Sequence, residues 1–517
     1  MSTPKTDSPA LDADAQALAD LGYTQELHRG MSGFSNFAVS FSIISILAGC
    51  ITSYGIALRS GGPSALVLGW LGVGVLVLAV AGAMAEVCSR YPTAGGLYFW
   101  AGRLARRNRR EWAWFTGWFN FLGEVAVTAA IDFGCATTWM AFMNLVWGVE
   151  PTPVTTFLLF VGIIVVHGLL NTFGVNLVSL LSSVSAWWHV VGTLIIVGAL
   201  WLLPEHHQSV SWTLTGFHNE TGWSSAVYVF LLGLLMAQYT YTGYDASAHV
   251  AEETKNASVA APRGIVTSVA VSVVGGFILL YSITAAITDR SEAGLAKLSE
   301  SDTGLPPAQI FLDALGSPAI AKFLLFIVCI AQFFCGMASV TANSRMSYAF
   351  SRDRALPGSR LWATVNPRTG TPTNSIWLCV TLSVILAAPA LISTTAYFAV
   401  TSIAVIGLYI AYVIPVLLRR LNPDFTPGPW NLGRFSAVVG WVAVVWVVII
   451  CVLFVLPPVA PVTVSTFNYA PVAVVVVLLL ATVLWFAGGR RTFMGGEAAA
   501  SGSGHATSPE AEEVLES

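Results

Sequence analysis

Three acidic side chains and one histidine lie inside long apolar stretches of this sequence, where an ionisable group is usually functional. They are Glu124, Asp132, Asp245 and His189. The eight-residue step from Glu124 to Asp132 turns an α-helix by about 80° beyond two full turns, so both can lie on one side of a helix. Such a pair could attract a cationic group or relay a proton. Alternatively, each carboxylate is a hydrogen-bonded structural group.

Two segments rich in Gly, Ser, Thr and Tyr interrupt apolar stretches, one in each half of the chain. They are residues 48–55 (AGCITSYG) and residues 239–247 (YTYTGYDAS). In a bilayer, irregular backbone survives only where it lines a cavity, and paired weak points in two halves of a chain indicate a binding site between inverted repeats. Small residues also permit close helix packing, but the matching positions favour a binding site.

The composition is that of a protein with many membrane spans. Of 517 residues, 55% are hydrophobic and 10% are charged, with a mean hydropathy of +0.72, whereas soluble domains carry about 25% charged residues. The net charge of −3 argues against a nucleic-acid partner. The sequence contains no metal-ligand spacing, nucleophile–base constellation or phosphate-binding loop. We therefore expect no metal, no cofactor, no catalytic residues and no ATP-driven step.

Stretches of about 20 apolar residues are long enough to span a bilayer as a helix. We predict an all-α polytopic membrane protein with twelve transmembrane helices, formed by residues 30–58, 60–85, 111–147, 151–204 (two spans), 222–250, 265–288, 317–348, 374–418 (two spans) and 435–489 (two spans). Alternating spans place 20 of the 24 Lys and Arg residues on one side together with both termini. The positive-inside rule makes that side the cytoplasm.

The two ends of the chain are poor in large apolar residues. Residues 1–29 and residues 490–517 are therefore expected to be disordered cytoplasmic tails. Several charged residues fall at predicted cytoplasmic helix ends, namely Glu86, Arg90, Glu252, Glu253, Lys255, Arg345, Arg352 and Asp353. Some could form an inner gate of ion pairs, while most are expected to be solvated and to contribute little.

Four longer motifs support a family resemblance. They are residues 85–98 (AEVCSRYPTAGGLY), 241–256 (YTGYDASAHVAEETKN, followed by Pro262 and Arg263), 333–346 (FFCGMASVTANSRM) and 349–357 (AFSRDRALP). In this order, the motifs resemble those of the amino acid–polyamine–organocation transporter superfamily, in its amino acid/choline transporter branch. The resemblance covers about residues 30–489.

This resemblance implies a fold and a mode of action. It implies a five-plus-five inverted repeat with broken helices 1 and 6, followed by two C-terminal helices. Within a transporter domain of residues 30–489, the first repeat would comprise residues 30–204, the second residues 222–420, and helices 11 and 12 residues 434–489. Carriers with this fold work by alternating access, and the branch includes carriers of 4-aminobutyrate, other amino acids and choline.

The resemblance also assigns a substrate site to the two breaks. Free N–H groups at a helix break suit a carboxylate, and free carbonyls suit an ammonium group. The implied residues are Gly49, Cys50 and Ile51 for the carboxylate, and the carbonyls of Tyr239, Thr240 and Thr242 for the ammonium group. Tyr239 and Tyr241 could close over the ligand, although packing aromatics would look the same. Tyr241 stands where the superfamily usually has Phe.

Asp245 occupies an acidic position that relatives share, so we expect it to brace the broken helix or to meet a substrate cation, and we favour bracing. His189 stands where proton-coupled relatives carry Lys. Its ordinary pKa near 6.5 suits proton loading and release, but a buried histidine is also often just a hydrogen-bonding group. Sodium coupling would instead need hydroxyls such as those of Ser339 and Thr341, which equally suit helix packing.

The leading hypothesis is a secondary transporter in the plasma membrane that imports an amino acid, with 4-aminobutyrate favoured and a proton as coupling ion. The alternatives within the same fold are a choline, organocation or polyamine carrier, sodium coupling, and exchange. A quaternary ammonium group would need an aromatic cage. The residues that could supply one are Tyr239, Tyr241, Tyr244, Phe133 and Trp139.

Overall fold

A computed structural model describes residues 9–301, 303–391, 396–464 and 466–494 of the chain. Within these ranges the protein is helical and contains no β-strand, only three isolated bridges. Eleven of the described helices are long and apolar enough to cross a membrane. The sixth predicted span is divided into shorter helices, which accounts for the difference from twelve.

The first six spans comprise Gly33–Ile44 with Ile46–Thr52 and Tyr54–Arg59; Gly62–Arg90; Arg109–Trp147; Pro153–Thr172; Val175–Leu202; and Ala226–Gly233 with Leu235–Thr240 and Ala246–His249. The last six comprise Ala257–Ala285; Pro318–Arg352; Thr373–Ala387; Ala396–Leu421; Ser436–Leu453; and Ala470–Leu484. Shorter helices between spans are Gly96–Leu104, Val210–Thr215, Glu292–Ser299, Pro306–Ala314 and Ser359–Trp362.

Burial separates central spans from peripheral ones. The apolar part of the first span is 89% buried within the protein, and those of the third, eighth and tenth spans are each 78% buried. The twelfth span is only 17% buried. Helices in lipid gain no hydrophobic attraction for one another, so their association depends on close packing, which small residues allow. For example, Gly123 of the third span lies against the backbone of Gly407 in the tenth.

The first span is broken earlier than its sequence predicts. Residues 48–55 were expected to be irregular, but Ile46–Thr52 and Tyr54–Arg59 are helical. The break lies at Ser45, which has left-handed backbone angles (φ 33°, ψ 83°). The Ser45 side chain accepts a hydrogen bond from the N–H of Ala48 and so caps the helix that follows. Serine favours such caps because its hydroxyl replaces a missing backbone partner.

The sixth span is broken within the predicted segment 239–247. The helix Leu235–Thr240 ends there, and a new short helix begins at Ala246. Between them Gly243 has φ 92°, a conformation that glycine adopts at little cost. The Ile43 side chain of the first span occupies the space where a Gly243 Cβ would lie. The two breaks therefore meet in the middle of the molecule.

Loops gather at two ends of the helical bundle. At one end Met31 exchanges backbone hydrogen bonds with Glu253 and Lys255, and the Met494 N–H donates to the Asp353 carbonyl. We call this the inner end. At the opposite, outer end the Gly61 N–H donates to the His218 carbonyl, and the Ala460 N–H donates to Thr221. This segregation follows the alternation of the predicted spans.

The prediction of disordered tails is wrong where the structure describes them. Pro9–Asp20 forms a helix whose Leu18 is buried. Asp14 accepts hydrogen bonds from the N–H groups of Asn256 and Ala257, where the positive end of the seventh-span helix favours a carboxylate. At the other terminus Phe493 is buried. Residues 1–8 and 495–517 of the predicted tails lie outside the described residues.

Candidate functional site

A small cavity lies between the two broken spans. Its walls come from the first, third, sixth and eighth spans, through Ile43, Ile44, Ala48, Gly49, Thr52, Ile131, Tyr239, Thr240, Thr242, Gln332 and Cys335. Its volume is about 10 Å³, roughly the room of one water molecule. A larger molecule would therefore enter only when the walls move apart.

The first-span wall includes one of the three residues predicted to bind a carboxylate. Gly49 lines the cavity, whereas Cys50 and Ile51 are buried outside the lining. The Gly49 N–H already donates to the Ser45 carbonyl within the helix. In this conformation it is therefore not available to a substrate carboxylate. A Cβ at Gly49 would lie 2.5 Å from Thr240 Cγ2, which explains why the smallest residue stands here.

The sixth-span wall contains three of the five residues predicted to bind substrate there. Tyr239, Thr240 and Thr242 line the cavity. The Tyr239 carbonyl accepts both the N–H and the hydroxyl of Thr242, at 3.0 and 2.7 Å. The predicted ammonium ligand therefore has a local partner in this conformation, which a substrate would have to replace.

Tyr241 was predicted to close over a ligand, and the structure turns it away from the cavity. Its ring stacks on Trp70 of the second span, with ring centroids 4.2 Å apart. Its hydroxyl donates to the Trp70 carbonyl at 3.4 Å. The hydroxyl that distinguishes it from the usual Phe thus has a local partner on the second span.

Asp245 lies behind the break and outside the cavity lining. Its Oδ1 accepts the Tyr412 hydroxyl of the tenth span at 2.6 Å. Its Oδ2 lies 3.3 Å from His249 Nε2, one helical turn further along. Both contacts fit the bracing role better than contact with a substrate cation.

Asp132 is also removed from the cavity, although its neighbour Ile131 lines it. Its carboxylate contacts His167 of the fourth span, at 2.7 Å between Oδ1 and Nδ1. Both side chains are fully buried. Because a buried carboxylate needs such a partner, Asp132 is committed to His167 rather than open to a ligand.

His189 of the fifth span holds the break of the first span. Its Nδ1 lies 2.8 Å from the Ser185 carbonyl, which can only accept, so Nδ1 carries a proton. Its Nε2 lies 2.6 Å from the Ser45 hydroxyl. Cys335 of the eighth span donates its thiol to the Ile43 carbonyl on the same turn. His189 therefore lies beside the break of the first span.

The structure separates Ser339 and Thr341 from His189. The Ser339 hydroxyl bonds with that of Thr128 on the third span at 2.8 Å. Thr341 donates to Asn171 Oδ1 on the fourth span at 2.7 Å. These hydroxyls join helices, as the packing alternative predicts, and do not converge with His189 on one ion site.

Ion pairs close the inner end. Arg345 contacts Glu253 at 2.9 Å, and Arg352 contacts Glu252 at 2.9 Å. All four residues are buried or nearly so, and Asp353 accepts the Tyr23 hydroxyl. The prediction that most of these charged helix ends are solvated is therefore wrong, although Arg90 and Lys255 are exposed. Glu86 is buried too and contacts Arg419 and Arg420.

The sequence reasoning missed two groups near the site. Gln332 of the eighth span donates to the Ala48 carbonyl at 3.2 Å and lines the cavity. His249 joins the buried acids Glu124 and Asp245. The i,i+4 spacing of Asp245 and His249 was a usable signal, since such residues are neighbours on a helix.

Comparison with known proteins agrees with this arrangement. Residues 31–479 match the family model described as amino acid permease. The amino-acid permease BAT1 of Arabidopsis thaliana is 42% identical, over 94% of this chain and 97% of its own. Its homolog in Oryza sativa subsp. japonica is 40% identical over 94% and 98%. The amino-acid permease 2 of Neurospora crassa is 30% identical over 96% and 91%. This chain, with its many spans and its buried cavity between two helix breaks, belongs to the amino acid permease family.

Proposed function

We propose that this permease imports an amino acid across the plasma membrane by alternating access, with 4-aminobutyrate or a similar ω-amino acid as the favoured substrate. The observation that carries the proposal is the cavity between the breaks at Ser45 and Gly243. Ala48 and Gly49, just after the first break, line the cavity, and Tyr239, Thr240 and Thr242, just before the second break, add hydroxyls and carbonyls. Irregular backbone at membrane depth is tolerated where it serves such a site.

A zwitterion needs partners at both ends, because desolvating each charge costs several kcal/mol. In the proposed complex the carboxylate lies near Gly49, in the helix that follows the break at Ser45. The ammonium group lies near the carbonyls of Tyr239 and Thr242 and replaces the hydrogen bonds that the Tyr239 carbonyl accepts from the N–H and the hydroxyl of Thr242. Gln332, opposite Ala48, offers a further donor and acceptor.

The choline alternative is less favoured by the positions of the aromatic side chains. A quaternary ammonium group cannot donate hydrogen bonds and needs an aromatic cage. Among the described residues that line the cavity, Tyr239 is the single aromatic one. Tyr241 is stacked on Trp70, and Tyr244 packs against Tyr412. A substrate with hydrogen-bonding ends suits this wall better.

A proton gradient is the proposed driving force, and His189 is one place where a proton would act. Protonating Nε2 would turn it from an acceptor into a donor and reverse its hydrogen bond with Ser45. The break of the first span would then respond to pH. Sodium coupling is less favoured because the Ser339 and Thr341 hydroxyls point to other helices.

Transport by the purified protein in liposomes tests this proposal. Labelled 4-aminobutyrate would be offered under an inward proton gradient, with amino acids, polyamines and choline as competitors. We expect accumulation that amino acids compete with and that collapses when the gradient is dissipated. Competition by choline alone would overturn the substrate class. Accumulation that needs sodium and ignores the proton gradient would overturn the coupling.

A further inference from the structure

Three ionisable side chains meet between the third and sixth spans, apart from the cavity. Glu124 comes from the third span, and Asp245 and His249 come from the sixth. One ligand atom of each lies within 4.8 Å of the others, and all three side chains are buried. His249 Nε2 lies 3.3 Å from Asp245 Oδ2 and 3.9 Å from Glu124 Oε1. We call these three residues the buried acid–histidine cluster.

The hydrogen bonds around the cluster determine which atoms face its centre. His249 Nδ1 lies 2.9 Å from the Ala94 carbonyl, so Nδ1 carries a proton. Asp245 Oδ1 is occupied by the Tyr412 hydroxyl. The atoms that remain are His249 Nε2 and Asp245 Oδ2, both buried and without a hydrogen-bond partner among the described residues. Their mutual contact has the distance of an ion pair but not the alignment of a hydrogen bond.

Such a centre must hold at least one proton. A neutral Nε2 would direct its lone pair at two carboxylates in a medium of low dielectric constant, which is strongly unfavourable. Other titratable groups nearby supply no cation to the cluster. Tyr244 and Tyr409 pack on Tyr412 and carry no positive charge in either protonation state, Cys379 bonds to Asn343, and Arg345 is committed to Glu253.

We propose that the buried acid–histidine cluster is a proton-binding site whose bound proton holds the inner part of the sixth span on the third span. This rests on the proposed function, because it supplies a place for the coupling proton. In the closed form the proton is shared among His249 Nε2, Asp245 Oδ2 and the Glu124 carboxyl. When the inner end opens, the two spans separate, water reaches the cluster, and the proton leaves to the cytoplasm.

The position of the cluster connects the proton to the inner gate. The short helix Ala246–His249 leads directly into Ala251–Glu253. Glu252 and Glu253 make the ion pairs with Arg352 and Arg345 that close the inner end. A movement of the sixth span away from Glu124 would therefore pull on both ion pairs.

A divalent metal ion is the other cation that this donor set could attract, and the distances favour a proton. Zinc with ligands at about 2.0–2.1 Å in a tetrahedron needs donor atoms about 3.4 Å apart. The distance from His249 Nε2 to Glu124 Oε1 is 3.9 Å. In addition, one Asp245 oxygen is already taken by Tyr412.

The test compares proton-driven uptake with counterflow, in which labelled and unlabelled amino acid exchange at equal pH. We expect E124Q to lose accumulation and substrate-linked proton flux by about tenfold or more, with counterflow within about twofold of the unmodified protein. E124D should recover part of the proton flux. The matched control is E111Q, which changes an exposed glutamate at the start of the same helix.

The outcomes separate this proposal from the proposed function. Proton-driven accumulation that persists in E124Q overturns the cluster alone. If E124Q loses counterflow as well as accumulation, Glu124 has a structural role, and the proposal for the cluster is overturned too. An unmodified protein that exchanges amino acids without moving protons overturns proton coupling altogether. Stoichiometric zinc in the purified protein that disappears in E124Q would identify a metal site instead.

Discussion

Gly49 is a residue whose size matters because two broken helices approach each other there. A methyl group at this position would lie 2.5–2.8 Å from atoms of Thr240, closer than van der Waals contact. Thr240 cannot easily turn away, since its hydroxyl donates to the Met236 carbonyl. The side chain of residue 49 therefore controls how closely the walls of the cavity can meet.

We expect Gly49→Ala to reduce the maximal rate of amino acid uptake by about tenfold, with at most a small loss of folded protein. The added methyl group would push the two broken helices apart and disturb the closed form. Initial rates over a range of substrate concentrations would measure this. The control is Gly72→Ala in the second span, where a Cβ would meet no atom within 4 Å. Equal losses in both variants would contradict the prediction.

His189 is the second residue whose role can be tested directly. We expect His189→Ala to remove the dependence of uptake on external pH, because Ser45 would lose the partner whose protonation state changes. Uptake measured from pH 5.5 to 8, about one unit either side of the ordinary histidine pKa, would reveal this. A pH profile that is unchanged apart from its height would remove His189 from the coupling mechanism and leave it a structural role at the break.

At the scale of elements, the inner gate consists of ion pairs between the sixth-span extension and the end of the eighth span. Arg345 is fully buried, and its guanidinium contacts Glu253, Ser344 and Asn171. A buried pair contributes little net stability, but removal of one partner leaves an uncompensated charge. The gate is thus destabilised when only one of the two charges is present.

We expect Glu253→Gln to lower the free energy of unfolding by about 3–5 kcal/mol. The double variant E253Q/R345Q should regain part of this loss because the unpaired charge is removed as well. Thermal unfolding of the detergent-solubilised protein would measure both. Glu150→Gln, at an exposed loop position, serves as the control. A double variant that is less stable than E253Q would argue that the pair itself stabilises the fold.

The outer end is held by His218, which links its own loop to the start of the helix Glu292–Ser299. Its imidazole contacts Glu220 at 2.6 Å and Glu292 at 2.7 Å. The hydrogen bond with Glu220, followed by that with Glu292, raises the pKa of His218 above its ordinary value despite partial burial. Because the folded state holds this proton more tightly, the stabilisation is fully present below about pH 6.5 and is lost as pH rises through the raised pKa.

The thermal unfolding temperature should therefore fall as the pH is raised from about 6.5 to 8.5. We expect this fall to be larger in the unmodified protein than in His218→Gln. Glutamine keeps a hydrogen-bonding side chain but does not titrate. Differential scanning fluorimetry at closely spaced pH values would measure the two slopes. Parallel slopes would mean that other groups at the outer end dominate the pH dependence.

At the scale of the whole molecule, the first and last described segments of the chain lie at the inner end, through Asp14 and Met494, and we propose that this end is cytoplasmic. The charge bias of the loops supports this orientation. We expect Glu205→Cys, at an exposed outer position, to react with a membrane-impermeant maleimide on intact cells. Arg368→Cys, exposed at the inner end, should react only after permeabilisation. Six of the seven native cysteines are buried, so background labelling should be small. The reverse pattern would invert the topology.

Much of the fold could be predicted because its physical causes are local. Long apolar stretches predicted the spans, and Gly243 with its polar neighbours predicted the sixth-span break. The first-span break was misplaced by several residues, since Gly49 and Ser53 are equally compatible with helix. Ser45 is left-handed at a point where His189 bonds to its side chain and the nearby Ile43 packs against Gly243. Both contacts are distant in sequence.

Part of the candidate site could be predicted in the same way. Gly49, Tyr239, Thr240 and Thr242 lie at the cavity as expected. Asp132 and Tyr241 do not, because His167 and Trp70 hold them elsewhere. A sequence shows which residues can ionise or stack. It does not show which residue from another helix will contact them in the folded protein.

The sequence by itself determined a helical protein of many membrane spans, its family and the approximate position of its two weak helices. These follow from the length of the apolar stretches, the charge distribution and the order of the motifs, each of which is visible in the linear sequence. Only the tertiary structure decided which polar groups face the cavity and which pair away from it. It also brought Glu124 to Asp245 and His249, because the partner of a buried charge is selected by helix packing across more than a hundred residues.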